Sequence, residues 1–86
     1  MPMYKVYILE CADKTLYVGS TSDLKRRLTE HNNSKKGAHY TKIRRPVVLV
    51  YSEDVPNLST ALKREIEIKR WTRIKKMKLV NNKQKS

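Results

Sequence analysis

Between Leu16 and His31 the chain reads LYVGSTSDLKRRLTEH, and residues able to handle a phosphate or a proton recur there at short intervals. Tyr17 carries a phenol. Arg27 carries a guanidinium whose fork of donors matches phosphate oxygens. His31 carries an imidazole that titrates near neutrality. A second phenol, Tyr7, precedes Tyr17 by ten residues, and Glu65 supplies a carboxylate further on. Each has a plainer reading as well. Tyr7 and Tyr17 can be cross-strand aromatics, Arg27 a solvated helix cation, His31 a helix-end residue, and Glu65 a partner for Lys69 one turn on.

What decides between these readings is where the elements put the side chains. MYKVYILEC alternates, with Tyr4, Val6 and Ile8 on one face and Lys5, Tyr7 and Leu9 on the other, which predicts a strand. ADK predicts a turn, and TLYVG a second strand with Leu16 and Val18 opposite in parity to Thr15 and Tyr17. If Val6 and Ile8 bury beside Leu16 and Val18, period-2 geometry puts Tyr7 and Tyr17 together on the other face. STS offers capping hydroxyls and Asp23 suits a positive helix end, so DLKRRLTEHN predicts a helix with Leu24 and Leu28 inward. Arg27 and His31, four apart, then project from one side.

NSKKGAHYTKIRRP predicts a loop or a short helical turn, and VVLVYSE a buried, central or well-covered strand. NLSTALKREIEIKRWTRIKKMKLV predicts one helix, with a stripe through Leu58, Ala61, Leu62, Glu65 and Lys69. That stripe places Glu65 in the middle of the apolar face. Trp71 lies off it, as a core residue or a stacking platform. One domain over residues 1–80 is expected, with a basic, frayed tail over 81–86. Asn81 and Asn82 receive no role.

The charge narrows the partners. Twenty Lys and Arg against eight acidic residues give a formal +12. From Leu58 to Ser86, ten bases against two acids give +8. Such an excess predicts attraction to nucleic acid, with a partnerless basic surface as the plain alternative. A membrane is not expected, because no apolar run approaches a span and no long helix pairs a basic with an apolar face. The single cysteine, Cys11, excludes an internal disulfide framework and a cysteine-based zinc site. With no signal-peptide pattern, it suggests the cytoplasm.

VYI at Val6–Ile8 and YVG at Tyr17–Gly19 resemble the two halves of the GIY-YIG nuclease motif. LKRRLTEH resembles that family's first helix, and GAHYTKIRRPVVLVY and ALKREIEIKRW resemble its small stand-alone (YhbQ/YazA-like) branch. The resemblance covers roughly Met3 to Val80 and implies an α/β (α+β) fold, a small three-stranded antiparallel sheet flanked by helices. It implies metal-dependent hydrolysis of phosphodiesters, with one Mg²⁺ or Mn²⁺. Carried over by position, it gives Tyr7 and Tyr17 as active-site phenols, Arg27 as the helix arginine, His31 as the helix histidine of some branches, and Glu65 as metal ligand. Tyr40 and Thr41 follow the small-branch pattern or pack the loop.

These roles have physical reasons. Glu65 is a hard oxygen donor, and one carboxylate plus waters and substrate oxygens suffices for Mg²⁺. Arg27 meets charge developing on phosphorus. Tyr7 is the expected base or water-orienting group, with Tyr17 assisting. A phenol titrates near pH 10, so a metal, Arg27 or His31 must lower the cost of tyrosinate. Two positions depart from the family pattern. Val6 stands where the name has glycine, and Ser20 stands where many members carry lysine.

The expected activity is a DNA endonuclease, in repair or another processing step, with RNA as the alternative polymer. The expected protein is a monomer, with room for a partner protein. Arg26, Lys35, Lys36, Lys69, Arg70, Arg73, Lys75, Lys76 and Lys78 are the expected phosphate contacts, giving affinity with little sequence choice. The competing readings are a GIY-YIG-like nucleic-acid binder without useful catalysis, which Ser20 favours, and a basic protein-interaction module.

Overall fold

The computed structural model describes residues 3–33 and 39–85. Strand β1 (Tyr4–Glu10) forms the middle of a three-stranded sheet, antiparallel to β2 (Leu16–Thr21) on one edge and β3 (Val48–Val55) on the other. The described helices are α1 (Leu24–Asn33), α2 (His39–Lys42), α3 (Leu58–Lys69) and α4 (Arg73–Lys85).

The β1–β2 hairpin closes where ADK predicts a turn. The Cys11 N–H donates to the Thr15 carbonyl at 2.9 Å, and Lys14 takes a positive φ of 71°. Asp13 fixes the exit by accepting from the Thr15 N–H at 3.1 Å and the Thr15 hydroxyl at 2.6 Å. In the resulting register Ile8 faces Val18, Leu9 faces Tyr17, and Tyr7 faces Gly19. The two tyrosines are therefore diagonal neighbours on one face, as parity requires.

Both faces of the sheet are covered. On one, Val6, Ile8 and Val18 pack with Tyr51 and Val55 against Ala61, Ile68 and Val80. On the other, Tyr7, Leu9, Cys11 and Val47 are closed over by Leu24 and Leu28 of α1. This is why Val6 to Leu9 are buried without a break. Tyr7 is only 1% exposed, so its face of the sheet is a second core rather than an open surface.

Three elements differ from the sequence expectation. The VVLVYSE strand lies on an edge, not at the centre. Its apolar run meets mixed surroundings: Val47 is buried on the α1 side, while Val48 and Leu49 are 55% and 38% exposed, beside the register shift between Ile8 and Leu9. The single long helix is two. Trp71 packs back against the core, and the Thr72 hydroxyl accepts from the Lys75 N–H at 3.2 Å, starting α4. Continuing to Lys85, α4 runs through Asn81 and Asn82, where the sequence suggested fraying.

The apolar stripe of α3 is also rotated. Ala61 and Ile68 are buried, whereas Leu58 and Leu62 are 47% and 45% exposed. Glu65 falls between Ala61 and Ile68 in helical position. It thus stays on the sheet side, although the leucines of its expected stripe do not.

Candidate active site

Tyr7 is seated by what lies across the hairpin. A Cβ at Gly19 would come to 2.5 Å from the Tyr7 hydroxyl oxygen and 2.7 Å from the adjoining ring carbon. Only glycine leaves room for the phenol at this point in the register. α1 begins when Asp23 accepts from the Arg26 N–H at 3.1 Å, so the capping group is a carboxylate rather than an STS hydroxyl. The same helix brings His31 down onto the tyrosines. His31 Nε2 lies 2.9 Å from the Tyr7 hydroxyl oxygen, and the Tyr17 ring meets the imidazole edge-on at 5.1 Å between centroids.

The other imidazole nitrogen is occupied too. Thr41 of α2, fully buried, places Oγ1 at 2.7 Å from His31 Nδ1. The result is a chain from Thr41 through His31 to Tyr7, closed to solvent. The segment that follows α2 is held from several sides. Asn32 exchanges two hydrogen bonds with the backbone of Val47, at 2.8 and 3.0 Å. The Arg45 guanidinium donates to the carbonyls of Glu30 and His31 at the end of α1. Arg44 donates to Asp13 at 3.0 Å and to the Tyr40 carbonyl at 3.1 Å, tying α2 to the hairpin turn.

Arg27 flanks the chain. Its guanidinium donates to Glu30 at 3.0 Å and is only 28% exposed, so the fork is held rather than free-swinging. Arg26 differs, with its side chain 70% exposed. Burial, and then the neighbouring Tyr17 phenol, push Tyr7 up to about 12, although the adjacent Arg27 pulls it down. At pH 7 that leaves a free tyrosinate about 7 kcal/mol out of reach, at about 1.4 kcal/mol per unit. Burial, with Arg27 second, lowers His31 to about 4. His31 is therefore neutral at pH 7 and does not supply the cation that the sequence reading allowed it. It meets the Tyr7 hydroxyl through Nε2 as a neutral hydrogen-bonding group instead.

Glu65 reaches β2 from the helices on the other face. The Ser20 hydroxyl donates to Oε1 at 2.6 Å, and Lys69 Nζ lies 2.6 Å from Oε2. Its side chain is 17% exposed, and its charge helps to raise Tyr7. The plain reading, Glu65 paired with Lys69, is thus present in the geometry. Among the described residues no group of three or more His, Cys, Asp or Glu converges to cage a metal. The local donors are hard oxygens, one carboxylate and one hydroxyl. They fit a hydrated Mg²⁺ or Mn²⁺ that completes its shell with waters and substrate, not a closed structural site.

The expected phosphate-contacting residues spread widely. Arg70, Arg73, Lys75 and Lys78 are exposed, Lys69 reaches Glu65, and Lys76 is half-buried. Lys75 Nζ sits 4.5 Å from the centre of the Trp71 ring, which otherwise packs on the core. Lys35 and Lys36 lie outside the described residues. The sequence reading left Thr41 between two roles and gave Glu30 none; hydroxyls and helix carboxylates are too common to stand out. Ser20, noted only as a missing lysine, is the group that orients Glu65.

A family model for the GIY-YIG catalytic domain matches residues 3–78. A UPF0213 protein of Syntrophus aciditrophicus is 57% identical over 75 residues, covering 87% of this chain and 86% of that one. Another, from Desulfotalea psychrophila, is 51% identical and covers 98% of this chain and 76% of its own. Two solution NMR structures share the architecture. The UPF0213 protein of Bacillus halodurans is 43% identical at a TM-score of 0.61, covering 94% of this chain and 85% of its own. A protein of E. faecalis is 34% identical at a TM-score of 0.67, covering 100% and 91%.

Proposed function

The chain belongs to the GIY-YIG catalytic domain family, and from that premise we propose that it is a metal-dependent endonuclease hydrolysing phosphodiester bonds in DNA. The observation that carries the reading is the buried chain Thr41–His31–Tyr7, with Arg27 beside the phenol. Any buried imidazole needs partners at both nitrogens; here one partner is a phenol flanked by Arg27, a pairing of groups suited to moving a proton.

In the proposed reaction a water oxygen forms a bond to phosphorus as the bond to the leaving oxygen breaks. Once substrate opens the site on the Tyr17 side, the water proton passes to the Tyr7 oxygen while Tyr7 passes its own proton to His31 Nε2, so no free tyrosinate forms. The leaving oxygen takes a proton from solvent, and His31 then gives its proton up to solvent. This needs the tautomer in which Nδ1–H donates to Thr41 and Nε2 accepts, a proton placement we assign from the network. Tyr17, half-buried, orients the water from the solvent side. Arg27, braced by Glu30, faces the charge that develops on the phosphoryl oxygens. Glu65, oriented by Ser20, would hold Mg²⁺ or Mn²⁺, which supplies Lewis-acid stabilisation of the phosphate.

A second reading, a nucleic-acid binder without useful turnover, has one observation of its own. The Glu65 carboxylate is already engaged by Ser20 and Lys69. The deciding experiment is cleavage of linear, nicked, flapped and single-stranded nucleic acid with Mg²⁺ or Mn²⁺, and with chelator. Metal-dependent cutting that Glu65→Ala removes supports the nuclease. Binding without cutting of any substrate supports the alternative. Cytoplasmic action on DNA during repair or processing, as a monomer, completes the proposal. Among the described residues no helix is long and apolar enough to cross a membrane.

A further inference from the structure

An open groove of about 220 Å³ runs beside Tyr17, lined by Leu16, Tyr17, Val18, Tyr40, Lys69 and Lys76. We propose that this groove is a subsite for one unstacked nucleobase of the substrate strand, immediately next to the catalytic centre. The proposal rests on the nuclease reading and adds to it what the enzyme requires of the nucleotide beside the cut.

Three consecutive β2 residues line the groove, so it follows the strand rather than one of its faces. β2 is a sheet edge, bonded to β1 on one side only. Its outer edge offers backbone N–H and C=O groups, which can meet the polar edge of a base. Tyr40 supplies the stacking surface. Its ring centre lies 6.1 Å from that of Tyr17, with the planes tilted by 33°. The Arg44 guanidinium lies 3.9 Å from the centre of the Tyr40 ring and is itself held by Asp13 and by the Tyr40 carbonyl. The ring is therefore positioned before any ligand arrives, which lowers the cost of stacking on it.

The charges favour a nucleotide over a peptide strand added to the β2 edge. Lys69 and Lys76 reach the groove from α3 and α4, suited to the phosphates on either side of a base. Tyr17 belongs to both places, lining the groove and meeting His31 edge-on at 5.1 Å. A base in the groove thus sets its own phosphodiester beside the Tyr7–His31 pair. A paired, stacked base inside a duplex cannot enter, so the nucleotide must be unpaired or drawn out of the stack.

The test measures affinity in chelator at low salt, by fluorescence anisotropy, for three labelled ligands. They are a thymidine pentanucleotide, an abasic pentanucleotide of equal phosphate count, and a duplex. Wild type should prefer the thymidylate over the abasic strand by about ten-fold or more, the scale of base–aromatic stacking. Tyr40→Ala should erase that preference, Tyr40→Phe should keep it, and duplex affinity should not change. Tyr40→Leu, which keeps bulk but not the π face, serves if Tyr40→Ala does not fold. Equal affinity of wild type for the thymidine and abasic strands would overturn the proposal. So would a Tyr40→Ala loss shared equally by duplex, or binding of an extended peptide with no discrimination among the oligonucleotides. Metal-dependent cleavage without base preference would remove the subsite alone. A base preference with no cleavage of any substrate would remove the nuclease reading and leave the subsite standing.

Discussion

Gly19 and Tyr7 occupy one cross-strand pair, and the phenol takes up the volume in which any larger residue at Gly19 would begin. Gly19→Ala should therefore displace an anchored ring, not a free side-chain end. The expected cost is about 1–3 kcal/mol, as for overpacking in a filled core. Urea denaturation measures it. In a Tyr7→Ala background the same substitution should cost clearly less, because the atom it strikes is gone. Additive effects would separate the two positions.

His31 gives a pH signature. Burial, with Arg27 second, lowers it to about 4 from an ordinary 6.5. Between those values the unfolded chain binds more protons than the folded one, so stability rises with pH across this window. His31 imposes no penalty above about pH 6.5, and stability falls by up to about 3 kcal/mol as the pH drops towards 4. Denaturation of wild type and of His31→Gln at pH 7.5 and 4.5 isolates this share from that of the carboxylates. An equal pH dependence in both proteins would refute it.

Much of this arrangement is legible in the chain because strand parity leaves little choice. Once Val6, Ile8 and Val18 face one way, Tyr7 and Tyr17 must face the other, and a spacing of four puts His31 with Arg27. The burial of Tyr7 was not legible, since alternation tells which residues share a face but not whether a helix covers it. Nor was the break at Trp71, which no glycine or proline marks; a threonine hydroxyl and the return of an indole to the core produce it. The apolar stripe through Leu58, Ala61, Leu62 and Glu65 is only partly the buried one, since Leu58 and Leu62 face outward while Ala61 and Ile68 pack inward.

Thr41 should act on the site through its hydrogen bond to His31. Thr41→Val keeps the shape and removes the partner of Nδ1, leaving a buried polar nitrogen at a cost of about 1–3 kcal/mol. Thr41→Ser should recover most of it. A structural role alone would move stability without moving the ring, so the second readout is the imidazole tautomer by ¹⁵N NMR. Thr41→Val should shift the population of Nδ1–H, and an unchanged tautomer would break the link from Thr41 to the proton relay.

Nucleic-acid affinity should be steeply salt-dependent, given the formal +12. Neutralising about five phosphates predicts a slope of log affinity against log salt of about −4 on duplex DNA. Replacing Lys75, Lys76 and Lys78 together should flatten the slope and weaken all duplex sequences alike, because phosphate contacts carry no base information. A flat response in wild type would remove nucleic acid as the partner.

Glu65 separates the metal reading from the plain one most sharply. Its carboxylate is held by the Ser20 hydroxyl at 2.6 Å and by Lys69, whose side chain is 49% exposed. With its lysine end half open to water, such a pair contributes modestly, about 1 kcal/mol, so a divalent cation with a phosphate beside it can displace Lys69. Glu65→Gln keeps size and the ability to accept from Ser20 but loses the charge. If Glu65 serves only to pair with Lys69, the variant should keep divalent-metal binding and any cleavage. If it holds Mg²⁺, calorimetric metal binding and metal-dependent cleavage should both disappear. Affinity for DNA in chelator should persist or rise slightly, because a negative charge has left the site and Lys69 is free to meet phosphate. Ser20→Ala should give an intermediate result, with weaker metal binding but cleavage recovered at high Mg²⁺, since it disturbs the orientation of the carboxylate and not its charge. A Glu65→Gln protein that still cuts in Mg²⁺, or a wild type that cuts equally well in excess chelator, would defeat the assignment.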